Sequence, residues 1–435
     1  MFQAQYINML LFIFSMISIN HVYAATLQPM SDEQMSATTG QALMTLSYLA
    51  PNDAGNSNPV SSNLGFYKLG MEAEIDINAN IKKLQLGCGG VNGAGACDID
   101  IDYLGLSGVS DTNTGRANSS AKISNPFIEF AIKNPNSAAT REVSGFRLSA
   151  DSIQGLLTFG LENTAVKSGI NSFSGYMVTQ ATTGVVNTAA VNSGLTQTAL
   201  NQAITGGVKS SEGLVGGGFT STAYDLTLSA ASGSLALPSQ VISGKRITEA
   251  NLTGSAIVSG IQLGGTVNAQ ANTVILGFIP LTVNISGDLS GAINNLGVNV
   301  EVNEDLGYFH KVNLNGTAAS LSVQKQNLIW PNAKSIAQTG WWLELSNPID
   351  IGDVSPADKV IITSDVVKQT LTQVSTYLAA NPINCGFLAT TCLAGTINTG
   401  TVDLTNSSRV SMALADLVLK NQTFAPNCYG GLKFC

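Results

Sequence analysis

The clearest pattern along the chain is an alternation of apolar and polar residues between positions 71 and 81. Apolar residues occupy the odd positions from Met71 to Ile81, and acidic or amide residues occupy the even ones. A period of two predicts a β-strand with one buried and one solvated face. Residues 98–103 alternate in the same way, and Cys88 and Cys97 lie between the two stretches. We therefore predict a β-hairpin with a disulfide across its turn.

A second β region extends from about residue 223 to 345. Residues 281–293 and 298–302 alternate there, and glycines recur between the alternating stretches. Long antiparallel strands fit this pattern, and no clean repeat period indicates a solenoid. The predicted fold class is mainly β. We expect long antiparallel strands in one or two twisted sheets or sandwiches, with a few short helices near the N- and C-termini.

Helices are predicted near both ends of the chain. Ser31 is a suitable N-cap with Gln34 three residues later, which predicts a short helix before a strand at 42–49. Residues 364–378 place apolar side chains at helical spacing, and 410–419 is predicted to be helical as well. Residues 177–208 are rich in Ala, Thr, Asn and Gln. This composition predicts either a low-charge helix or a mobile insertion.

The first residues have the layout of a secretory signal peptide. Residues 1–24 contain no Lys, Arg, Asp or Glu, and residues 7–19 are almost wholly apolar. Val22 and Ala24 stand where a signal peptidase requires small residues, and the apolar run is too short to span a bilayer. We expect cleavage before Ala25. No cysteine stands directly after that cleavage point, so no lipid anchor is expected, and no later stretch predicts a transmembrane helix.

These patterns divide the chain into six predicted segments. They are a signal peptide (1–24), an N-terminal capped helix and strand (25–50), a first β region with the Cys88–Cys97 hairpin (51–175), an Ala/Thr/Gly-rich insertion (176–222), a second β region (223–345) and a C-terminal helical and disulfide-bonded region (346–435).

Composition narrows the class of protein. Only 11% of the residues are charged, and the formal net charge is −8. A surface of hydroxyl and amide side chains is typical of exported β proteins. The negative balance argues against nucleic-acid binding, which needs a basic surface, and against electrostatic docking on an anionic membrane.

The six cysteines fall into three closely spaced pairs, which are Cys88 with Cys97, Cys385 with Cys392, and Cys428 with Cys435. An even number of cysteines in an exported chain predicts disulfides, and we favour three local bridges. Cross-pairing among the last four is the alternative. A zinc site is the functional alternative, but the spacings differ from CxxC pairs and no histidine lies nearby.

The segment after the signal peptide carries a resemblance. Met30, Ser31 and Asp32 are followed by Thr39, Gly40 and Gln41. This pattern resembles a short motif found after the signal peptide in secreted gram-negative envelope proteins, including Fil-type pilus-system proteins. The match covers about a dozen residues. The resemblance implies a role in the cell envelope or at the cell surface, and it brings no catalytic residues.

Few residues suggest catalysis. His310 is the only histidine after the signal peptide, so any Ser-His-Asp triad would depend on it. The chain contains no Gly-x-Ser-x-Gly, phosphate-binding or dinucleotide-binding motif. We therefore expect a non-enzymatic protein with no cofactor.

Two groups of residues are candidates for binding. Asp98, Asp100 and Asp102 line one face of a predicted strand, which fits either a weak calcium site or a solvated strand face. Trp341 and Trp342 are adjacent, so they point to opposite sides of a strand. One is expected in the core, and the other is a candidate for contact with a ligand or partner.

The expected function is that of an exported, non-enzymatic envelope or surface protein, located in the periplasm, at the cell surface or outside the cell. A structural or adhesive role alongside a pilus or fibre fits the N-terminal motif, with other envelope or fibre proteins as partners. An outer-membrane β-barrel is the alternative, although aromatic residues are few for two girdles, at 6%. A secreted hydrolase is the less favoured alternative.

Overall fold

β-Strands make up most of the described chain. The structure is a computed structural model that describes residues 44–161, 166–213, 215–275, 277–386, 395–415, 417 and 427. The described residues from Met44 onward belong to one compact unit. Their helices are α1 (Asn113–Ala117), α2 (Gln197–Leu200) and α3 (Ser364–Ala380). Their strands, in chain order, are β1 (Met44–Leu49), β2 (Leu64–Met71), β3 (Glu74–Ile77), β4 (Ala79–Leu86), β5 (Ile99–Ser107), β6 (Ala121–Lys133), β7 (Glu142–Thr158), β8 (Ile170–Thr179), β9 (Thr182–Asn187), β10 (Val191–Thr196), β11 (Thr205–Lys209), β12 (Val215–Leu228), β13 (Ser232–Leu237), β14 (Val241–Ile247), β15 (Glu249–Val258), β16 (Ile261–Ile275), β17 (Ile279–Asn294), β18 (Leu296–Asp305), β19 (Lys311–Asn315), β20 (Ala319–Gln324), β21 (Gly340–Asp350), β22 (Ile383–Asn384), β23 (Thr396–Asp403) and β24 (Val410–Leu414).

The prediction of a mainly β fold is confirmed, and the described strands form three sheets. The first has twelve strands, in the order β1-β2-β6-β7-β19-β21-β8-β5-β4, with β3, β14 and β20 paired beside this path. The second has seven strands and contains the long antiparallel strands β12, β16 and β17, of which β16 and β17 form a hairpin. The third has five strands in the order β24-β18-β15-β13-β9. Strand pairing crosses the segment boundaries drawn from sequence, because β20 and β21 of the second β region pair with β7 and β8 of the first.

Part of the twelve-stranded sheet closes on itself. β7 pairs with β20, β20 with β21, β21 with β8, β8 with β5, and β5 again with β7. Strands that complete such a circuit cannot lie in one plane, so the sheet curves.

The main hydrophobic core contains residues from all three sheets and from α3. The helix was predicted from apolar residues at helical spacing, and the structure confirms it: Val367, Leu371, Val374 and Leu378 are buried. The opposite side of the helix carries polar residues, as its amphipathic pattern requires. A second, smaller core lies under the twelve-stranded sheet and contains Trp330 and Trp342.

The single strand predicted over residues 71–81 is wrong, because the alternating stretch changes partner. β2 ends at Met71, β3 pairs with β6, and β4 pairs with β5. Asn78 lies between β3 and β4, and its Nδ2 donates to the carbonyl of Arg116 at 2.8 Å and to that of Ser119 at 2.6 Å. The alternation therefore predicts the strand conformation, but it does not show where one strand ends and the next strand pairs with a different partner. The predicted hairpin is confirmed as β4 and β5, which are antiparallel.

Two further predictions of secondary structure are corrected. Residues 177–208 were predicted as a helix or insertion, but the end of β8, then β9, β10 and most of β11 form there, with only the four-residue α2. Residues 410–414 form β24 rather than helix, paired in parallel with β18. Val410, Met412 and Leu414 are buried while Ser411 and Ala413 are exposed, so the period is two. The signal peptide, the N-terminal helix and the motif at 30–41 lie outside the described residues. In the part of the chain that the structure describes, no helix is long and apolar enough to cross a membrane.

Candidate functional site

The cysteine pairing is confirmed where the structure describes it. Cys88 and Cys97 form a disulfide in the connection between β4 and β5. Cys385 is also disulfide-bonded. The other three cysteines, Cys392, Cys428 and Cys435, lie outside the described residues, and the partner of Cys385 is among them. The described disulfide closes the end of a hairpin.

The three aspartates do not converge on one point. Lys83 Nζ lies 2.5 Å from Asp100 Oδ1 and 3.0 Å from Asp102 Oδ1, and Asn171 Nδ2 donates to both carboxylates. Burial opposes ionisation of Asp100, but hydrogen bonds from Lys83 and its neighbours outweigh it and lower the pKa of this carboxyl. Asp98 is buried and instead accepts a hydrogen bond from the backbone N–H of Trp341 at 3.0 Å. Across the described ranges, no group of three or more His, Cys, Asp or Glu residues could hold a metal ion.

His310 lies in the protein interior. Its Nδ1 is 2.9 Å from the carbonyl oxygen of Phe159, whose own N–H donates to the carbonyl of His310. The ring is almost fully buried. This position fits a structural role for the histidine.

The two adjacent tryptophans face opposite sides of β21, as the strand geometry predicts. Trp342 is buried in the smaller core, and its Nε1 donates to Ser335 Oγ at 3.0 Å. Trp341 is only half-buried. The candidate site lies on the side of the sheet that carries Trp341.

Trp341 ends a line of large side chains that crosses six strands. The residues directly opposite one another in β1, β2, β6, β7, β20 and β21 are Tyr48, Tyr67, Phe130, Phe146, Val323 and Trp341. Directly opposed residues of antiparallel strands point to the same face. Tyr48 and Tyr67 stack with ring centroids 4.4 Å apart, and Phe130 and Phe146 are 5.5 Å apart. We call this line the aromatic row.

A parallel line of aliphatic residues lies two positions along each strand. It consists of Leu46, Leu69, Ile128, Leu148, Leu321 and Leu343. None of the residues in the two rows is classed as buried, and Leu46 is 73% exposed. The two rows together form the apolar face. Exposed apolar patches of this kind are uncommon on soluble proteins without a binding role.

A cavity of about 520 Å³ opens on this face. Its walls include five of the six members of the aliphatic row, together with Ile75 and Ile77 of β3, Leu106 of β5 and Leu314 of β19. Among the lining residues only Ser149 and Ser320 are polar, and no charged residue lines the cavity. Ser149 Oγ donates to the carbonyl of Ala319 at 2.8 Å. The cavity therefore offers an almost wholly hydrocarbon surface.

The opposite side of the same strands is covered and carries the polar groups. Glu129 and Arg147 face each other on β6 and β7 and form a buried ion pair. Arg147 also donates to the carbonyl of Pro331 at 3.0 Å, and its guanidinium lies 5.3 Å from the Trp330 ring. Burial raises the pKa of the Glu129 carboxyl, while Arg147 opposes that shift. The connection between β20 and β21 thus covers this side. The apolar face is exposed at Leu46, Tyr48, Phe130 and Leu148, whereas Leu321, Trp341 and Leu343 on β20 and β21 pack against the main core.

Sequence reasoning identified only one residue of this face, Trp341. A signal was present in the alternation of Met44, Leu46 and Tyr48 along β1. Period two shows that such residues share a face, but it does not show whether that face is covered.

Comparison of the chain with protein-family models, with curated proteins and with solved structures finds no match.

Proposed function

We propose that the chain is an exported, non-enzymatic protein of the cell envelope or surface that acts by binding another envelope or fibre protein through its apolar face. Export is supported by the signal-peptide pattern and is consistent with the Cys88–Cys97 disulfide, since such bonds persist in oxidising compartments. A place alongside a pilus or fibre is supported by the resemblance at residues 30–41.

The aromatic row, which is exposed at Tyr48 and Phe130 and half-buried elsewhere, carries the proposal. Aromatic residues are enriched at protein interfaces, where they supply much of the binding energy. Here five aromatic residues and Val323 form a continuous line across six strands, and a second apolar line borders it. Contact with water disfavours such a surface by roughly 25 cal/mol per Å² of apolar area. A partner that covers the face therefore gains stability from its burial.

The edge position of β1 supports the same reading. β1 pairs with β2, and no other strand of the described residues pairs with it. A partner strand can hydrogen-bond along such an edge and extend both rows at the same time. Backbone pairing and apolar contact then act on one surface.

Replacement of Leu46 by Asp is expected to release the protein from its envelope partner. The side chain is 73% exposed, so the change has little effect on folding. Loss of a buried leucine contact weakens binding by about 1.5–3 kcal/mol, which is roughly 10- to 100-fold in affinity. The measurement is the fraction of protein retained and cross-linked in washed envelope fractions.

Ile257→Asp is the matched control, because Ile257 is 56% exposed on β15 of a different sheet. Phe130→Asp provides a second test within the aromatic row. Retention of both row variants at the wild-type level would contradict the proposal. Recovery of wild-type protein mainly in the cytoplasm would contradict the export on which it rests.

A further inference from the structure

The hairpin of β16 and β17 changes character at its end. The side that faces solvent is polar over much of its length, with exposed Asn268, Gln270 and Asn272 on β16 and Thr282, Asn284 and Ser286 on β17. The next opposed pair on that side is Val274 with Pro280, and both are exposed. Phe278, in the turn between the strands, is 73% exposed. We call Val274, Phe278, Ile279, Pro280 and Leu281 the hairpin tip.

The other side of the hairpin faces the core, but its residues at the tip are not covered. Ala271 and Thr273 of β16 are buried, as is Ile285 of β17. Ile279 and Leu281 continue the same alternation on β17, yet they are 46% and 37% exposed. The hairpin tip therefore projects past the core and is apolar on both of its sides.

A tip that is apolar on both sides is poorly suited to an ordinary protein interface. A protein that packs against a sheet covers one side and leaves the other in water. Both sides lose contact with water together only when an apolar medium surrounds the tip. The hydrocarbon of a lipid bilayer is such a medium.

The distribution of charge also favours lipid. No Asp, Glu, Lys, Arg or His occurs from Ala250 to Gly287. Two exposed charged residues lie at the same end of the sheet, Lys209 on β11 and Glu212 in the connection to β12. Lys209 opposes Gly216, which opposes Val274, so its backbone is two strands or roughly 10 Å from the tip. Both charges can stay among hydrated headgroups while the uncharged tip enters the bilayer.

The backbone limits how deeply the tip can enter. β16 and β17 pair as far as Ile275 and Ile279, and Pro280 brings no N–H group. Among the described strands, only β23 pairs with the outer edge of β17, and it does so from Asp288 onward. The other polar groups of that edge need water or headgroups as partners. The strand advances about 7 Å from Leu281 to Ile279, which matches the roughly 5–10 Å depth of interfacial binding.

We propose that the hairpin tip inserts into the interfacial layer of a lipid bilayer whose headgroups carry no net charge. The tip belongs to a different sheet from the apolar face, and its insertion does not depend on the proposed docking of a protein there. A few inserted apolar side chains hold a protein weakly and reversibly. Release of the Leu46→Asp variant from washed envelopes is therefore still expected.

The test is co-flotation of the purified protein with phosphatidylcholine vesicles. We expect saturable binding that high salt does not weaken, because the tip carries no charge. Phe278→Asp is expected to weaken binding at least tenfold, since one large apolar contact is replaced by a charge. Ser286→Asp is the matched control, because Ser286 is exposed on the same strand, roughly 23 Å from Ile279, and its variant should bind like the wild type.

A second variant measures the depth of insertion. Phe278→Trp keeps a large apolar side chain and places a fluorophore at the tip. Vesicles whose lipids carry bromine at defined positions of the acyl chain quench a tryptophan at the same depth. We expect quenching to be strongest with bromine near the headgroup end of the chain. The wild type, with Trp330, Trp341 and Trp342 elsewhere in the fold, is expected to show little quenching.

Several outcomes would overturn the inference. They are absence of vesicle binding by the wild type, equal loss in the Phe278→Asp and Ser286→Asp variants, a requirement for anionic lipid, and equal quenching of the wild type and Phe278→Trp. Loss of vesicle binding in Leu46→Asp but not in Phe278→Asp would place the lipid on the apolar face instead. A stable dimer that Phe278→Asp dissociates would show that a second copy covers the tip. Retention of the Leu46→Asp variant in envelopes is scored separately, so each proposal can fail alone.

Discussion

Replacement of Arg147 by Leu is expected to lower the free energy of unfolding by about 3–5 kcal/mol. Arg147 and Glu129 are 6% and 3% exposed, and removal of the cation leaves a buried carboxyl without its partner. Arg147 also contacts Pro331 and the ring of Trp330, so the connection that covers the sheet loses an anchor. Urea unfolding of the two proteins measures the difference. Lys325→Met is the control, because its ion pair with Glu142 is exposed and such pairs contribute little to stability.

The loss of unfolding free energy in the Arg147→Leu variant is expected to depend on pH. Without Arg147 the pKa of Glu129 rises further above its ordinary value of about 4.3, because burial is then opposed only by the charge of Lys68. The folded chain then keeps a proton that the unfolded chain has released, so stability falls as the pH rises above that value. The deficit is therefore larger at neutral pH than in mild acid. Replacement of both Glu129 and Arg147 by apolar residues should restore most of the stability. An equal deficit at all pH values, or no recovery in the double variant, would contradict this account of the pair.

Replacement of Trp330 by Ala is expected to lower the free energy of unfolding by about 3–5 kcal/mol. Trp330 is among the largest fully buried side chains. It packs 5.6 Å from Phe66 and donates its Nε1 to Gln324. Its removal leaves a void in the smaller core, and thermal unfolding measures the effect. Phe278→Ala serves as the control, because Phe278 is 73% exposed and its loss should change stability by less than about 0.5 kcal/mol. Similar effects of the two substitutions would show that the smaller core does not stabilise the fold.

Much of the fold could be predicted because local patterns determine local conformation. The alternation over 281–302 corresponds to β17 and β18, and the apolar spacing over 364–378 corresponds to α3. The hairpin joined by Cys88 and Cys97 followed from two alternating stretches with a cysteine pair between them. Each of these predictions depends only on residues close in sequence.

The errors occurred where distant pairing decides the outcome. Val410, Leu414 and Leu417 fit helical spacing, yet pairing with β18 makes residues 410–414 a strand. The stretch over 71–81 alternates throughout, but residues 74–77 pair with β6 and residues 79–81 pair with β5. Residues in 177–208 have weak local preferences, and neighbouring strands decide their conformation.

The candidate site was largely hidden from sequence for the same reason. The aromatic row joins residues from position 48 to position 341, and five strand registers bring them into line. Trp341 could be singled out because its neighbour Trp342 had to point the other way. The acidic alternation at 98–102 drew attention to calcium, whereas Lys83 pairs with Asp100 and Asp102.

We propose above all that another envelope or fibre protein covers the apolar face when the protein is in the intact cell envelope or on the cell surface. Carbene footprinting, which labels exposed side chains, tests this claim most directly when intact cells are compared with the purified protein. Leu46 and Phe130 are expected to be labelled in the purified protein and protected on cells, while Ile257 on β15 is labelled equally in both. Equal labelling of Leu46 and Phe130 in the two preparations would contradict the claim, because the face would then be open to water where the protein acts.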